Sequence, residues 1–393
     1  MKVLFYVHRI SFIKNWVQNL GEYLKDNNVD VFVFLFDNND NTTENDTGIN
    51  VINISGLHVP GIISRIRVIK PDVFITLGYQ SIIELLLVRI SRSLNIKCIY
   101  IQHGIISLHN STLFARIGTK NLYSSIITYL YYFILYSEYL LFYKCKLIIE
   151  LRILMNKLFR NSSEGMGINK YLLFSKNAYN IHKRIFNYLD NEVEIIGYPV
   201  FAKRSSLKIT STFIPRNKKY VLYLQDNFIQ ANFTEISYEE EREYLAKIIK
   251  TTKDNGFLFV IQLHPLENIE NYIDFSKNEN IFVIQVNNLA NIVKSSSFVI
   301  GHSSAALFTA ILLNKPLLLF DYPKLVISLD FFSEVGIHVK SLIHYSEILN
   351  SLNEIDAMKY NSFKEKHLGT KNNFEDYGKA IVNFIQSQKT EYI

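Results

Sequence analysis

The amino-acid sequence predicts an α/β fold with two parallel sheets, each in its own domain. Short runs of β-branched and aromatic residues alternate with longer helix-like stretches, which is typical of parallel strands joined by crossover helices. The chain has 393 residues, more than one hydrophobic core usually accommodates, so two domains are expected. Hydrophobic residues make up 48% of the chain and aromatic residues 14%, which supplies enough apolar material for two cores.

Twelve short apolar runs are strand candidates, and they divide into two sets. Seven lie in the first half, at residues 2–8, 29–36, 50–54, 72–77, 97–102, 171–175 and 192–196. Five lie in the second half, at residues 220–224, 258–263, 281–286, 298–300 and 316–320. With helices between the strands, the two sets predict two Rossmann-like sheets.

The boundary between the domains is expected in the segment 198–219. This segment is polar and basic and carries Pro199 and Pro215, a composition typical of a linker. We assign residues 1–200 to an N-terminal domain and residues 216–393 to a C-terminal domain. The last helix of the chain is a candidate to pack back onto the first domain.

A hydrophobic helical insertion is expected at about residues 120–160. Its central part, residues 122–143, contains one charged residue, Glu138, and seven tyrosines, and basic residues flank it on both sides. The length suffices to cross a bilayer, but tyrosine is typical of membrane interfaces, and basic flanks suit an anionic lipid surface. We therefore favour a long helix or a helical hairpin on the inner face of the cytoplasmic membrane. A helix buried in the domain or in a dimer and a true membrane span are the alternatives.

Composition narrows the functional classes. The formal net charge of +6 suits anionic substrates or a membrane surface, and no motif that reads nucleic acid is present. Cys98 and Cys145 are too few for a disulfide scaffold or a zinc site. The sequence has neither an Asp-X-Asp motif nor a tight ligand cluster, so no metal is expected. Residues 1–8 read as a strand rather than a signal peptide, and we expect a cytoplasmic protein.

Two histidine motifs in the second half carry the strongest functional signal. They consist of His264 and Pro265 after one strand, and of His302, Ser303 and Ser304 after another, just before a helix predicted at 305–313. Strand ends that face helix N-termini bind anions in open α/β sheets, because unpaired N–H groups and the helix dipole converge there. The motifs therefore predict a site for a diphosphate or a nucleotide phosphate. Taken singly, each is equally compatible with a plain helix cap or strand end.

A third histidine, His103, ends a buried strand of the first half and precedes Gly104, which permits a sharp turn. A neutral imidazole near its intrinsic pKa accepts a proton from a hydroxyl nucleophile, so the position suits a general base. A histidine satisfied locally at the strand terminus is the alternative. Weaker candidates at strand ends, expected to face a cleft between the domains, are His8, Arg9, Gln225 and Asp226.

Together these motifs resemble the GT-B glycosyltransferases of bacterial surface polymers, which have two Rossmann-like domains facing a cleft. The resemblance covers roughly residues 103–321. It rests on the His-Gly after a first-domain strand, the His-Pro after a second-domain strand, and the Ser-Ser that leads to the Asn-Lys-Pro-Leu run at 314–317. The nearest matches are the CDP-glycerol glycerophosphotransferases of teichoic acid synthesis and the bacterial polysialyltransferase and capsule transferase families.

The resemblance implies that His264, Ser303 and Ser304 bind the phosphate of a nucleotide-activated donor and that His103 is the base. Two departures leave the donor open. The acidic-acidic-Gly motif that supplies the base in bacterial sialyltransferases is not evident. In addition, Gly301 and His302 replace the acidic residue that the glycerophosphotransferases carry just before their serine pair.

The expected activity is transfer of a sugar, or of a polyol phosphate, to a hydroxyl of a bacterial surface glycan such as capsule or lipooligosaccharide. The acceptor is a glycan or a lipid-linked glycan, and no cofactor is expected beyond the nucleotide-activated co-substrate. A histidine base without a visible nucleophile favours inversion. Two other functions stay open. One is a UDP-sugar 2-epimerase of the same fold, although its Ser-Gly-Gly turn and a dense set of carboxylates are missing; the other is a non-catalytic, membrane-associated scaffold of polysaccharide assembly.

Overall fold

The chain folds into two compact units. The structure is a computed structural model that describes residues 1–8, 12–36, 49–78, 81–103, 122–143, 147–160, 167–185, 190–199, 218–229, 234–265, 267–285, 289–302, 304–320, 330–351, 355–369 and 373–390. Unit 1 comprises Met1–Pro199 and Lys366–Ile393, and unit 2 comprises Val200–Glu365. The division between them falls within the polar segment 198–219.

Unit 1 contains a parallel sheet of seven strands. They are β1 (Lys2–Val7), β2 (Asp30–Leu35), β3 (Asn50–Asn53), β4 (Val73–Thr76), β5 (Lys97–Ile101), β6 (Lys170–Leu173) and β7 (Val193–Ile195). Their spatial order is β3-β2-β1-β4-β5-β6-β7, so the direction of winding reverses between β1 and β4. Central strands such as β1 and β4 are apolar on both faces because helices cover both sides of the sheet.

In the described part of residues 1–199, six helices connect the strands of unit 1. A π-helical turn, Ile13–Val17, continues into α1 (Gln18–Asp26), and the others are α2 (Val59–Ile69), α3 (Ile82–Ser93), α4 (Leu122–Tyr143), α5 (Leu147–Arg160) and α6 (Lys176–Ile185), with a short 3₁₀ turn at Asp190–Glu192. Helix α3 begins with a capping box in which Ser81 and Glu84 bond each other's backbone N–H groups.

Unit 2 contains a second parallel sheet, of six strands. They are β8 (Tyr220–Leu224), β9 (Leu258–Gln262), β10 (Ile281–Ile284), β11 (Phe298–Gly301), β12 (Leu317–Phe320) and β13 (Ile337–Val339), in the order β10-β9-β8-β11-β12-β13. Its helices are α7 (Tyr238–Asp254), α8 (Leu289–Ser295), α9 (Leu307–Leu312), α10 (Leu342–Ser351) and α11 (Ala357–Phe363), with 3₁₀ turns at Ile269–Asn271, Ile273–Lys277 and Asp330–Glu334. The winding reverses between β8 and β11.

The last helix, α12 (Phe374–Thr390), belongs to unit 1. A π-helical turn at Lys364–Leu368 precedes it. Its Tyr377 ring packs edge-on against Trp16 at a centroid distance of 6.1 Å, and the Tyr377 hydroxyl donates a hydrogen bond to the Gly197 carbonyl at 2.7 Å. The C-terminal segment thus contacts both the start and the end of the N-terminal part of this unit.

All twelve predicted strands are present, and among the strands that the structure describes only β13 was not predicted. The three-residue strand β13 has an exposed His338 between two apolar residues, a pattern too short to stand out from a loop. The helix predicted at 305–313 is shorter than expected, because α9 begins only at Leu307.

The hydrophobic insertion forms the two helices α4 and α5. One side of α4 is buried in the core of unit 1 through Leu135, Tyr136 and Tyr139. Within the described part of the chain, no helix is both long enough and apolar enough to cross a membrane.

Candidate functional site

Each sheet gathers polar side chains where its winding reverses. The strands of each sheet pair in parallel, so their carboxyl ends share one edge. At a reversal point the crossover helices diverge to opposite faces and leave a crevice beyond these carboxyl ends, which is where open α/β sheets bind ligands. The reversal lies between β8 and β11 in unit 2 and between β1 and β4 in unit 1.

Gln225 lies at the centre of this edge in unit 2. It directly follows β8 and is buried. Its Oε1 accepts a hydrogen bond from the backbone N–H of His264 at 3.4 Å, and its Nε2 donates to the Tyr272 hydroxyl at 3.0 Å and to Glu267 Oε2 at 3.2 Å. Gln225 therefore ties the end of β8 to the turn that carries His264.

His264 is held through its backbone on both sides. Besides the bond to Gln225, its carbonyl accepts hydrogen bonds from the Glu267 N–H at 2.9 Å and from Gln285 Nε2 at 2.8 Å. Pro265 is exposed within this turn and fixes φ there. These bonds fix the backbone from which the partly exposed His264 side chain extends.

Two buried glutamates lie beside this edge, and neither stood out in the sequence. Glu241, on α7, is fully buried and accepts hydrogen bonds from the hydroxyls of Tyr272 and, at 3.4 Å, Tyr223. Glu267 is buried and accepts a hydrogen bond from the Tyr238 hydroxyl at 2.9 Å. Burial raises the pKa of Glu241 to about 7, although the hydrogen bond from Tyr272 counteracts part of this effect.

His302 ends β11 and is linked to this network. Its Nε2 lies 3.1 Å from the Tyr223 hydroxyl, the same group that contacts Glu241. The His302 ring packs edge-on against Phe228 at a centroid distance of 5.5 Å. Burial lowers the pKa of His302 to about 4, with a smaller opposing effect of the Phe320 carbonyl, so the imidazole is neutral at neutral pH. A neutral His302 can offer a ligand a hydrogen bond but no positive charge.

Two polar atoms at this edge are buried without a hydrogen-bond partner among the described residues. They are Nδ1 of His302 and Oδ1 of Asn227. Asp226, next to Asn227, has a pKa raised to about 6 by burial, although the Asn227 N–H donates a hydrogen bond to it at 3.2 Å. Native proteins pair nearly all of their buried polar atoms, so unpaired atoms at a strand edge indicate a place that a ligand or ordered water completes.

Ser304 lies in a turn before α9 and does not cap that helix. Its Oγ accepts a hydrogen bond from the Ala306 N–H at 3.3 Å, and the Leu307 N–H donates to the Ser304 carbonyl at 3.1 Å. A separate turn therefore occupies the positions expected to begin the helix. Leu307 packs so closely on Gly301 that a Cβ there would lie 2.2 Å from its Cδ2. Two predicted site residues, Ser303 and Arg9, lie outside the described residues.

In unit 1, His8 ends β1 within a polar cluster. Its Nδ1 lies 2.9 Å from the Tyr6 hydroxyl, and its Nε2 lies 3.3 Å from both Ser81 Oγ and Glu84 Oε1. Ser81 and Glu84 are the capping pair of α3, so the same two side chains cap the helix and contact His8. Gly78 leaves room for this carboxylate, because a Cβ there would lie 1.8 Å from Glu84 Oε1.

His103 follows β5, two strands away from His8 in the same sheet. Its Nδ1 is hydrogen-bonded to the Leu77 carbonyl, and because a carbonyl only accepts, Nδ1 carries the proton and Nε2 is the basic nitrogen. The ring packs edge-on against Phe12 at 5.1 Å. Burial lowers the pKa of His103, with opposing effects from the Leu77 carbonyl and from Glu84. The imidazole is therefore neutral near pH 7 and able to accept a proton at Nε2.

Most of the polar residues that lie together in the structure were predicted from their positions at strand ends. The residues that form hydrogen bonds with them were not predicted. Gln225, Asp226, His264 and His302 share one sheet edge in unit 2, and His8 and His103 share the corresponding edge in unit 1. The residues that sequence reasoning missed are Tyr6, Ser81, Glu84, Tyr223, Glu241, Glu267 and Tyr272. Ser81 and Glu84 had a readable signal, the Ser-X-X-Glu spacing of a capping box. Glu241 had none, because it is one of three consecutive glutamates on an amphipathic helix.

The described residues contain no group of three or more histidine, cysteine, aspartate or glutamate side chains arranged to hold a metal ion.

Comparison with known proteins identifies the fold. No protein-family model matches the sequence, and no curated protein matches it significantly. Solved structures do match. The wall teichoic acid polymerase TagF superposes with a TM-score of 0.61 at 14% identity, covering 99% of this chain and 90% of that chain. The UDP-GlcNAc 2-epimerase of Methanocaldococcus jannaschii gives 0.57 at 14% identity, covering 98% and 100%. The spinosyn forosaminyltransferase SpnP gives 0.57 at 11% identity, covering 98% and 99%.

At these identities the likeness concerns the fold alone. These neighbours are enzymes of the GT-B type, and they include both transferases and epimerases. The chain has two Rossmann-like domains of the GT-B fold, as the sequence predicts.

Proposed function

We propose that this chain transfers a sugar, or a polyol phosphate, from a nucleotide-activated donor to a hydroxyl of a bacterial surface glycan such as capsule or lipooligosaccharide. The observation that carries the proposal is the setting of His103. Its Nδ1 is engaged by a backbone carbonyl, while burial keeps the ring neutral and leaves Nε2 as a proton acceptor. A hydroxyl nucleophile needs such a base, whereas a non-catalytic scaffold has no use for one.

The proposed donor site is the strand edge of unit 2. His264, Ser303 and Ser304 are assigned to the donor phosphate, with Pro265 shaping the turn that presents His264. His302 is assigned a hydrogen bond to the same group, because its neutral ring has an unpaired Nδ1. Nucleotide binding by GT-B neighbours supports this assignment, since the Methanocaldococcus jannaschii epimerase has been solved with UDP-GlcNAc and UDP. Unit 1 is assigned to the acceptor.

For a sugar donor, we propose direct displacement with inversion and without a metal. The acceptor oxygen attacks the anomeric carbon while His103 Nε2 takes its proton, and the bond between that carbon and the nucleotide's phosphate oxygen breaks. Hydrogen-bond donors fixed around the phosphate stabilise the charge that develops on the leaving nucleotide. Of the remaining candidates, His8 and Arg9 are assigned to an anionic acceptor group and Asp226 and Gln225 to the donor edge.

One observation supports the alternative function, a UDP-sugar 2-epimerase. A dense set of carboxylates seemed absent from the sequence, yet Asp226, Glu241 and Glu267 lie in or next to the hydrogen-bond network of the unit 2 edge. Both glutamates are buried and engaged by tyrosine hydroxyls, which favours a supporting role over proton transfer. An epimerase also needs no acceptor, and this difference separates the two activities experimentally.

The first test is calorimetric titration with CMP, CDP, UDP and GDP. We expect micromolar binding of one nucleotide by the wild type and at least tenfold weaker binding by His264→Ala. His338→Ala is a matched control, because His338 is an exposed histidine on β13 of the same unit. Equal affinities of the wild type and His264→Ala would contradict the donor site.

The second test separates transfer from epimerisation. The enzyme is incubated with UDP-GlcNAc and, separately, with CDP-glycerol, with and without a glycan acceptor, and the products are followed by NMR. Release of nucleotide that depends on the acceptor supports transfer, and the coupling constant of a new glycosidic bond reports inversion. A new UDP-sugar formed without acceptor would instead establish the epimerase.

A further inference from the structure

Helices α4 and α5 expose an apolar surface on unit 1. Among the described residues, sixteen large hydrophobic side chains are exposed, and nine of them lie on these two helices. On α4 they are Leu130, Phe133, Ile134, Leu141 and Phe142. On α5 they are Ile148, Ile149, Leu151 and Met155. We call these nine side chains the α4–α5 surface.

This surface is not the side of the helices that packs into the core of unit 1. The opposite sides of the same helices already pack into unit 1, through Leu135 and Tyr136 on α4 and Ile153 and Leu154 on α5. A helix that is apolar all round is normally covered on every side, and contiguous exposed apolar patches mark interaction sites. The α4–α5 surface therefore needs a second apolar environment besides the core.

The acidic residues of these helices are hydrogen-bonded to other groups of unit 1. Glu138 accepts hydrogen bonds from the Val59 N–H at 3.0 Å and contacts His58 Nδ1 at 2.5 Å. Glu150 is buried, pairs with Arg89 and accepts a hydrogen bond from the Tyr136 hydroxyl at 2.9 Å. Glu150 is thus shielded from solvent, and Glu138, whose side chain is 28% exposed, faces His58 and the start of α2.

The exposed charges are basic instead. Arg152 is exposed on α5. Helix α2 packs against α4 and carries the exposed Arg65 and Arg67, with Lys70 at its end. Apart from the partly exposed Glu138, every exposed charged side chain among the described residues of α2, α4 and α5 is thus positive. An apolar face bordered by basic residues complements an anionic phospholipid surface.

We propose that the α4–α5 surface docks unit 1 on an anionic phospholipid membrane. Its apolar side chains enter the interface between headgroups and acyl chains, and the basic residues contact lipid phosphates. A second copy of the chain fits less well, because a two-fold interface brings the same patch of both copies together and would oppose like charges. This inference does not depend on the proposed reaction.

The test is co-sedimentation of the full-length protein with vesicles of phosphatidylglycerol and phosphatidylcholine, and with vesicles of phosphatidylcholine alone. The variant is Leu141→Glu/Ile148→Glu, which changes two side chains that are 79% and 84% exposed. The matched control is Ile343→Glu/Met358→Glu, at exposures of 75% and 83% in unit 2. Because all four residues are exposed, neither double variant is expected to impair folding, which circular dichroism checks.

We expect the wild type and the control to bind anionic vesicles and the α4–α5 variant to bind at least tenfold more weakly. Binding should also weaken with neutral vesicles and at high salt. Absence of wild-type binding, or equal loss in the control, would overturn the proposal. Sedimentation velocity tests in parallel whether the surface binds a second copy of the chain. If the wild type is a dimer that binds no vesicles and the α4–α5 variant is a monomer, the surface is a dimer interface and the membrane proposal is wrong.

Discussion

At His103 a single hydrogen bond decides which ring nitrogen can act as a base. The Leu77 carbonyl engages Nδ1, so the lone pair is on Nε2. Asparagine can supply an N–H close to the position of Nδ1 but has no basic nitrogen. His103→Asn should therefore keep the local structure and nucleotide affinity while lowering kcat by about 10²–10⁴-fold, as measured by acceptor-dependent nucleotide release.

His58→Ala provides the control for this substitution. His58 lies in the same unit, but its ring contacts Glu138 and is largely exposed, so its loss should leave turnover within about twofold of the wild type. Turnover retained by His103→Asn would show that the proton is taken by another group, and His103 would then be a strand-end histidine satisfied by its backbone contact.

Glu241 makes the stability of unit 2 depend on pH. Burial raises its pKa from 4.5 to about 7, and the groups that face it are the hydroxyls of Tyr272 and Tyr223 and the carboxylate of Glu267. Between these two values the unfolded chain has released the proton while the folded chain retains it. The contribution of Glu241 to stability is therefore full below about pH 4.5 and is lost as the pH rises towards 7.

Glu241→Gln removes this titration and keeps an acceptor for the tyrosine hydroxyls. Relative to the wild type, the variant should become more stable between pH 5 and pH 8, by up to about 3 kcal/mol. Denaturant unfolding at both pH values measures the change. Because the wild type is compared with the variant at each pH, the titrations of Asp226 and His302 cancel. An unchanged difference between the two proteins would mean that Glu241 ionises normally in the folded state.

At the scale of the element, the strands were readable from the sequence and the turns after them were not. The run 258–263 has apolar residues on both faces of the strand and a single polar residue, Gln262. This pattern is typical of a strand buried in a parallel sheet. The turn at Ser304 was not readable, because Ser304 and the two alanines after it are also residue types that suit the start of a helix. Similarly, Glu241 and Glu267 join the site through hydrogen bonds from side chains on other elements, which are the hydroxyls of three tyrosines and the amide of Gln225.

Gly369 lies between the π-helical turn and α12, and the need for glycine at this position also comes from a tertiary contact. Its φ is +75°, and a Cβ would lie 2.3 Å from the Phe174 carbonyl oxygen. Gly56 in the same unit has a φ of +78° with nothing within 4 Å of its Cβ position. Gly56→Ala should therefore cost about 1–2 kcal/mol from the left-handed backbone alone, and Gly369→Ala at least about 1–3 kcal/mol more from the backbone clash. Thermal unfolding compares the two; equal losses would mean that Phe174 moves aside at little cost.

At the scale of the molecule, the chain returns to its first domain after completing the second. Sequence alone made this return only a candidate, because the amphipathic pattern of α12 shows that it has an apolar face but not which sheet covers it. The structure supplies the partners. Trp16, the only tryptophan in the chain, contacts both Phe374 and Tyr377 at centroid distances of 5.5 and 6.1 Å. Trp16 fluorescence therefore reports whether the C-terminal helix is in place.

Tyr377 gives the sharpest test of this arrangement. It is fully buried and donates its hydroxyl to the Gly197 carbonyl. Tyr377→Ala should shift Trp16 emission to longer wavelength and destabilise unit 1 by about 3–5 kcal/mol, because it removes an aromatic side chain from a packed site. Tyr377→Phe deletes only the hydrogen bond and should cost about 1 kcal/mol without a spectral shift. Urea unfolding followed by Trp16 emission measures both variants. If Tyr377→Ala left the emission and the midpoint unchanged, α12 would not be part of unit 1, and the N-terminal segment would have to complete its core without it.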